Sequence, residues 1–381
     1  MVETNEKKDR TSLYQKAIDS ILEKIDLGDF SFEKPLCTEK QLMKEMGISR
    51  ITAKRAITEL EHEGVLYRKR GVGSFVSRDI YLKNSRDSAD EIKIFAFVLP
   101  FDISKGGLFE TVQAINNVLN TANSYMCIYI TDSVNTREKH ILKQLLKQNI
   151  SGIVFYPSSN ELHLELLNMF VMDDKPVIVI DKSHDCQYIS SVLTDNYAGG
   201  VMLTDYLLSL GHKNIAYLAR SGAAGLTSIC DRFGGYLHSL RNAGIKPKED
   251  FFVSNLGSLY KNGSKPGQPT PSVNEAVKRL YDMGVTAIEA ENDEVAFSVL
   301  LACRELSIKV PGEMSICGFD NSDWANMSEA GITTIKQNFM EIGNKVGEIF
   351  LETLKEKHIQ TKKIIVPVEL VVRGTTGPAK E

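Results

Sequence analysis

A chain of 381 residues exceeds what one ordinary hydrophobic core fills, so two or three domains are expected. A net charge of −4 excludes a molecule that is a cationic nucleic-acid binder over its whole surface. Average apolar and charged content excludes collagen-like and disordered classes, and no apolar run approaches the ~18 residues of a membrane span.

The charge is unevenly placed. Residues 40–78 hold nine Lys/Arg against four Asp/Glu, while residues 1–39 and 79–381 are both net acidic. A small basic block on an acidic protein points to a local polyanion contact. The six cysteines are scattered and form no CxxC pair, so neither a zinc site nor a redox motif is indicated. The polar start "MVETNEKKDR" lacks the apolar core of a signal peptide, so the expected location is the cytoplasm.

The first predicted helix runs from about Ser12 to Ile25, with Leu13, Ala17, Ile21 and Ile25 on one face. "TEKQLMKEMG" comes next, with Thr38 as N-cap, Gln41 three residues on and Gly47 as the stop. Ser49 caps a third helix that ends near Gly64. On a wheel, Ala53, Ala56, Ile57 and Leu60 gather on one side of it. The other side carries Ile51, Lys54, Arg55 and Thr58, with Arg50 at its edge.

Two helices joined by a three-residue glycine turn form a helix-turn-helix, whose second helix enters the DNA major groove. "VLYRKRGVGSFV" then reads as two short strands around Gly71-Val72-Gly73, a thin loop flanked by Arg68, Lys69 and Arg70. Such a wing can reach a phosphate backbone or a minor groove. The candidate DNA-contacting residues are Thr38, Lys40, Ser49, Arg50, Ile51, Thr52, Lys54, Arg55, Arg68, Arg70, Gly71 and Gly73.

The segments "PLCTEKQL", "SRITAKRAITELEHEG" and "GVGSFV" resemble the winged N-terminal domain of the GntR regulator family over residues 13–76. Cys37-Thr38 replaces the family's Pro-Ser and keeps the cap. Lys54 stands where the family usually has arginine. Lysine lacks the fork that grips guanine, so phosphate contact is expected of it.

Residues 77–91 are polar and aperiodic and read as a linker between domains 1–76 and 92–381. From Ile92 apolar runs recur: "IKIFAFVLP", "SYMCIYITD", "SGIVFYPSS", "PVIVID", "SSVLTD", "NIAYLAR", "VTAIEAEN" and "MSICGFD". Amphipathic stretches (109–122, 137–148, 196–210, 228–243, 293–306) lie between most of them. This rhythm predicts parallel sheets covered on both faces, and the strand number suits two α/β lobes. Residues 258–274 read as an irregular loop. No GxGxxG comes after the first strand and no phosphate-binding GxxxxGK[ST] occurs, so no nucleotide cofactor is expected.

Polar and aromatic residues gather at strand ends: Phe101 and Asp102, Asp181 and Lys182, Asp195 and Asn196, Asn292 and Asp293, and Asp320 and Asn321, with Trp324 nearby. Ligands of open α/β sheets bind beyond the carboxyl ends of strands, and Asp/Asn groups with a few rings suit a polyhydroxylated molecule. An aspartate there also caps helices, the expected role of Asp195 and Asp293. On spacing alone Asp181 and Asp320 stay open between the two roles.

"TDNYAGGVMLTDYLLSLGHKNIAYLAR", "CDRFGGYLHSL", "AENDEVAFSVLLACRELSIKVPGEMSICGFDN" and "ITTIKQNFMEIG" resemble the effector-binding domain of the LacI/GalR repressor family, itself similar to periplasmic sugar-binding proteins. The resemblance implies effector contacts at Arg232, Asn292 and Asp320, and at Asp181 after its strand. Phe101, Asp102 and Trp324 are candidates only by lying near strand ends. A GntR-type reader on a LacI-type sensor is similar to the arabinose-repressor class of Gram-positive bacteria.

The expectation is a small α+β winged helix-turn-helix domain joined to a two-lobed α/β domain. It would act as a ligand-responsive regulator, a homodimer on double-stranded operator DNA with a sugar effector. The alternative is a sugar-binding receptor of a transport or sensing system. No nucleophile–base motif supports an enzyme.

Overall fold

The structure is a computed structural model that describes all residues except 1–12, 27–29, 70, 78–91, 104–106, 221–225, 262–266, 356–359 and 381. The chain divides into two compact units, Met1–Glu91 and Ile92–Glu381.

The first unit holds helices α1 (Leu13–Asp26), α2 (Glu39–Met46) and α3 (Arg50–His62), then strands β1 (Leu66–Lys69) and β2 (Gly73–Val76), which pair antiparallel. Thr38 and Ser49 cap α2 and α3, accepting from the main-chain N–H of Gln41 and Thr52. Gly47 is left-handed (φ 64°) and returns its N–H to Met43 O at 3.0 Å, which stops α2. The expected face of α3 is buried: Ala53, Ala56, Ile57 and Leu60 are at most 2% exposed. They pack on Ala17, Ile21, Ile25 and Leu42. Leu13 departs from its expected place and is exposed. Each i,i+4 step rotates about 40° around a helix, so a long i,i+4 series leaves the buried stripe.

The second unit has two lobes. In the first, β3 (Lys93–Leu99), β4 (Ser124–Ile130), β5 (Gly152–Phe155), β6 (Val177–Ile180), β7 (Ser190–Thr194) and β13 (Lys363–Val366) form a wholly parallel sheet of order β13-β7-β6-β5-β3-β4. Helices α4 (Leu108–Leu119), α5 (Asn135–Leu145) and α6 (Leu164–Met172) connect these strands.

The second lobe contains α7 (Asn196–Ser209), β8 (Ile215–Leu218), α8 (Thr227–Asn242), β9 (Phe252–Val253), α9 (Pro271–Asp282), β10 (Ala287–Ala290), α10 (Asp293–Glu305), β11 (Ser315–Asp320), β12 (Thr333–Lys336) and β14 (Glu369–Val371). Its order, β14-β12-β11-β10-β8-β9, repeats the first lobe's pattern, except that β14 runs antiparallel to β12. Residues 271–274, expected in a loop, form the first turn of α9, with Pro271 at its start.

The chain passes between lobes three times: from β7 to α7, from β12 to α11 (Phe339–Lys355), and from β13 to β14. Helix α11 returns to pack on α4, where Gly343 and Gly347 sit against Thr111, Ala114 and Val118. The crossings are bonded to each other. Asp195 N donates to Val366 O at 2.9 Å, and the Thr194 hydroxyl donates to the Gln337 side-chain oxygen.

Candidate nucleic-acid and ligand sites

In the first unit, α3 presents Arg50, Ile51, Lys54 and Arg55 outward, and Ile51 is 81% exposed. Their surroundings differ. Glu39, on the first turn of α2, accepts from Arg50 Nε at 3.2 Å and from Arg68 at 2.8 Å. One carboxylate thus ties the third helix to the wing, and the Arg68 and Arg50 bonds hold its pKa below the ordinary value. The Arg55 guanidinium lies over the Tyr14 ring, 4.6 Å from its centre. Lys40 and Lys54 are exposed and make no ion pair among the described residues.

Ser49 and Thr52 bond to each other at 2.8 Å. The Thr38 hydroxyl donates to the Gln41 side chain. Gly71 is exposed, with φ 77°. Gly73 has φ 144°, and a Cβ there would stand 2.8 Å from Pro35 Cβ. The wing strand needs that closeness. Leu36 N donates to Ser74 O and Ser74 N donates to Cys37 O, so the chain before α2 adds a third edge to the hairpin. Arg70 lies outside the described residues. Glu39 escaped the sequence reading because an acidic residue on a polyanion-facing surface looks repulsive until its two arginine partners are seen.

In the second unit the chain after β6 approaches the start of α8. Lys182 Nζ is 3.3 Å from Ser228 Oγ, and Ser183 N donates to Thr227 Oγ1 at 3.1 Å. Between the lobes lies a polar cluster. Asp181 pairs with the buried Lys182, whose ammonium is 5.8 Å from the centre of the Tyr156 ring. Phe101 meets Tyr156 edge-on at 5.6 Å. Burial, followed by the charges of Asp181 and Asp320, lifts the Tyr156 phenol well above its usual pKa.

Arg232 is fixed on every side. It donates to Asn196 Oδ1 (2.8 Å) and Glu291 O (2.6 Å), pairs with Asp320 Oδ1 (3.1 Å) and covers the Phe319 ring at 3.7 Å. Gln337 donates to the same Asp320 oxygen at 2.7 Å. Asp181 and Asp320 both take left-handed backbone conformations, φ 69° and 101°, a strain that accumulates at functional sites. An open pocket of about 230 Å³ borders Asp320 and Gln337 between Phe109 and Phe339.

Phe101, Asp181, Arg232 and Asp320 therefore come together. Of the other three candidates, Asn292 and Trp324 have their contacts elsewhere. Asp102 is exposed. Asn292 caps α10, its Oδ1 accepting from Val295 N at 3.0 Å. Trp324 stacks on Tyr260 at 5.7 Å and lies against Phe297, neither of them in the cluster. Asp195 caps α7 as expected.

Asp293 departs from its expected capping role. Fully buried, it accepts from Ser322 N and Oγ and from Thr334 Oγ1, holding the turn after Asp320. Burial, reinforced by the Asp320 charge, pushes its pKa up to about 7. Tyr156, Lys182, Asn196, Glu291 and Gln337 belong to the cluster: Lys182 and Asn196 stood among the polar strand-end residues without being chosen as candidates, and the other three were not singled out. Only their position after strands hinted at them. Among the described residues no group of His, Cys, Asp and Glu is arranged to hold a metal, and no helix is long and apolar enough to cross a membrane.

Residues 13–76 match the gntR family of bacterial regulatory proteins, and residues 204–376 match a periplasmic binding protein-like domain. The arabinose metabolism transcriptional repressor of Geobacillus stearothermophilus is 26% identical over 371 residues, 95% of this chain and 97% of the relative. The HTH-type transcriptional regulator DegA of Bacillus subtilis is 30% identical over 287 residues, 75% of this chain and 81% of its own. The chain belongs to the HTH-type transcriptional regulators. It is a transcriptional regulator with a gntR-type DNA-binding domain and a periplasmic binding protein-like domain. A LacI family regulator from Enterococcus faecium with bound ribose superimposes with a TM-score of 0.62 at 23% identity, covering 76% of this chain and all of that one, a likeness in fold.

Proposed function

We propose that this regulator is a cytoplasmic repressor of carbohydrate-metabolism genes, a homodimer on a palindromic operator, released when a sugar binds between its lobes. One reader covers a half-site, so two copies match a palindrome. Arg50, with Ser49, Ile51 and Thr52 beside it at the start of α3, reads bases. Thr38, Lys40, Lys54, Arg55, Arg68, Arg70 and the glycines Gly71 and Gly73 meet phosphates or a groove wall. Phe101, Asp181, Arg232 and Asp320, together with Asp102, Asn292 and Trp324, hold the effector. The protein acts by binding, with no chemical turnover.

The observation that carries this reading is the Asp320–Gln337–Thr194 chain of bonds, which runs from the polar cluster into two of the three crossings. A ligand that competes for Asp320 acts directly on the hinge. The names of the relatives, and the ribose in a structural neighbour, support a sugar.

The test is titration of the full-length protein with operator DNA, with and without a panel of sugars, alongside sedimentation to read the assembly. A sugar that weakens operator binding by about 5–150-fold, the usual range of such coupling, is the expected result. Operator affinity indifferent to every sugar that binds would overturn it.

A further inference from the structure

We propose that Glu291 contacts the effector by accepting a hydrogen bond from it, and so selects sugars that are uncharged or carry a protonated amine over sugar phosphates and sugar acids. The proposal rests on the cleft between the lobes being the sugar site.

Glu291 comes directly after β10, at the carboxyl end of the second sheet, and is 4% exposed. Its main chain is fixed twice: its N–H donates to Leu218 O at 2.9 Å and its carbonyl accepts from Arg232 at 2.6 Å. The next residue, Asn292, caps α10, so the main chain of this segment is held on both sides of the Glu291 side chain. The carboxyl accepts the main-chain N–H of Arg220 and feels the charges of Arg232 and Asp320. Its other oxygen, Oε2, is buried and has no hydrogen-bond partner. Burial pushes the group up to about 7, as suits a carboxyl with one oxygen lacking a donor.

The surrounding cations cannot supply that donor. Lys182 is paired with Asp181, Arg232 with Asp320 and Arg220 with Glu294. Each of the three is matched by a carboxylate, and Glu291 is the acid left over. A phosphate or carboxylate on the ligand would find no uncommitted cation among these groups, and would bring more negative charge to Asp181, Asp320 and Glu291. A hydroxyl or ammonium hydrogen would satisfy Oε2. The bland alternative is a buried water shared with the Tyr217 hydroxyl, which also lacks a partner.

The full-length protein is titrated by calorimetry and thermal shift with ribose, arabinose and glucosamine, with the phosphate ester of each, and with gluconate. The expected result is binding of at least one free sugar, with its phosphate ester at least about tenfold weaker. Glu291→Gln should lower the affinity of that sugar about tenfold or more, as loss of a hydrogen bond to a charged group does. The loss is larger for an amine than for a hydroxyl donor.

If Asp320→Ala abolishes binding and a folded Glu291→Gln binds like wild type, the cleft is the sugar site and Glu291 plays no part. That outcome fits the shared water and overturns the proposal. A phosphate ester or gluconate as the tightest ligand overturns it too, and needs no variant to fold. Binding of none of the free sugars removes the sugar reading itself, and this proposal with it.

Discussion

Gln337 joins Asp320 to Thr194: its amide nitrogen donates to Asp320 Oδ1 at 2.7 Å, and its amide oxygen accepts the Thr194 hydroxyl. Asp320 ends β11 of one lobe, Thr194 ends β7 of the other, and Gln337 lies on a crossing between them. The proposed effector contact and the crossings between lobes are one connected network.

Asp320→Ala is therefore expected to abolish effector binding while ligand-free operator affinity stays within about threefold of wild type. Calorimetry of the sugar, with operator titrations in its presence and absence, checks both halves. Loss of operator binding without ligand would show that Asp320 serves only to hold the fold. Coupling is reciprocal, so in the wild type operator must weaken sugar binding by the factor that sugar weakens operator binding.

Glu39 restrains two arginines, and removing its charge should release them. Glu39→Gln is expected to tighten binding to random DNA and steepen the salt dependence by about one unit, while narrowing the preference for operator. Arg50→Ala should instead cost about 1–3 kcal/mol on operator and relax the choice at one base position. Lys54→Ala should weaken all sequences alike. Gel-shift titrations at several salt concentrations separate the three patterns.

Ile51 is an apolar side chain, 81% exposed, on a helix face otherwise polar. Contact with a thymine methyl would use it. Replacing thymine by uracil across each half-site should weaken wild-type binding at one position and leave Ile51→Ala indifferent. Equal sensitivity in both proteins would exclude the contact.

Helices α7 and α8 touch through glycines. A Cβ on Gly200 would lie 2.1 Å from Arg232 O, and one on Gly235 would lie 2.3 Å from Tyr197 O. Gly200→Ala must push α8 away, and Arg232 with it. The expected loss is about 1–3 kcal/mol of folding stability, with a fall in sugar affinity beyond what stability explains. Chemical denaturation and calorimetry on the same preparation read the two effects.

Glu289 is buried beneath α7, where the Thr204 hydroxyl donates to it at 2.7 Å. Burial pushes its pKa up to about 8, from an ordinary value near 4.5. The folded state then binds a proton that the unfolded state has given up. This contribution to stability is complete below about pH 4.5 and is lost as pH rises through 8, at up to about 1.4 kcal/mol per pH unit. Melting temperatures between pH 6 and 9 should fall in the wild type, and fall less in Glu289→Gln.

The parts legible in the sequence were those with local causes. Thr38 and Ser49 cap helices through main-chain groups only three residues further on, and the wheel of α3 needs only its own thirteen. Asp181, Arg232 and Asp320 came from motif resemblance, and spacing alone left the two aspartates open. Lys182, Gln337 and Glu291 owe their roles to crossings that bring together residues far apart in the chain, which no window of sequence contains. The run "KIIVPVELV" hides two strands that belong to different lobes, since an apolar stretch does not say which sheet receives it. Asn292 took the cap expected of Asp293 because either can accept from a helix N-terminus, and only burial decides which one turns inward.

The last crossings have a consequence for synthesis. Strand β13 completes the first sheet by pairing with β7, yet it is made roughly 170 residues later. At about 5–20 residues per second, the ribosome needs on the order of ten to thirty seconds to close that gap. Throughout that interval the nascent first lobe carries a bare strand edge at β7, and for most of it the lobe also lacks the helix that covers α4. The lobe that begins first is completed only a few residues before the second, and until then its β7 edge is open to edge-to-edge association.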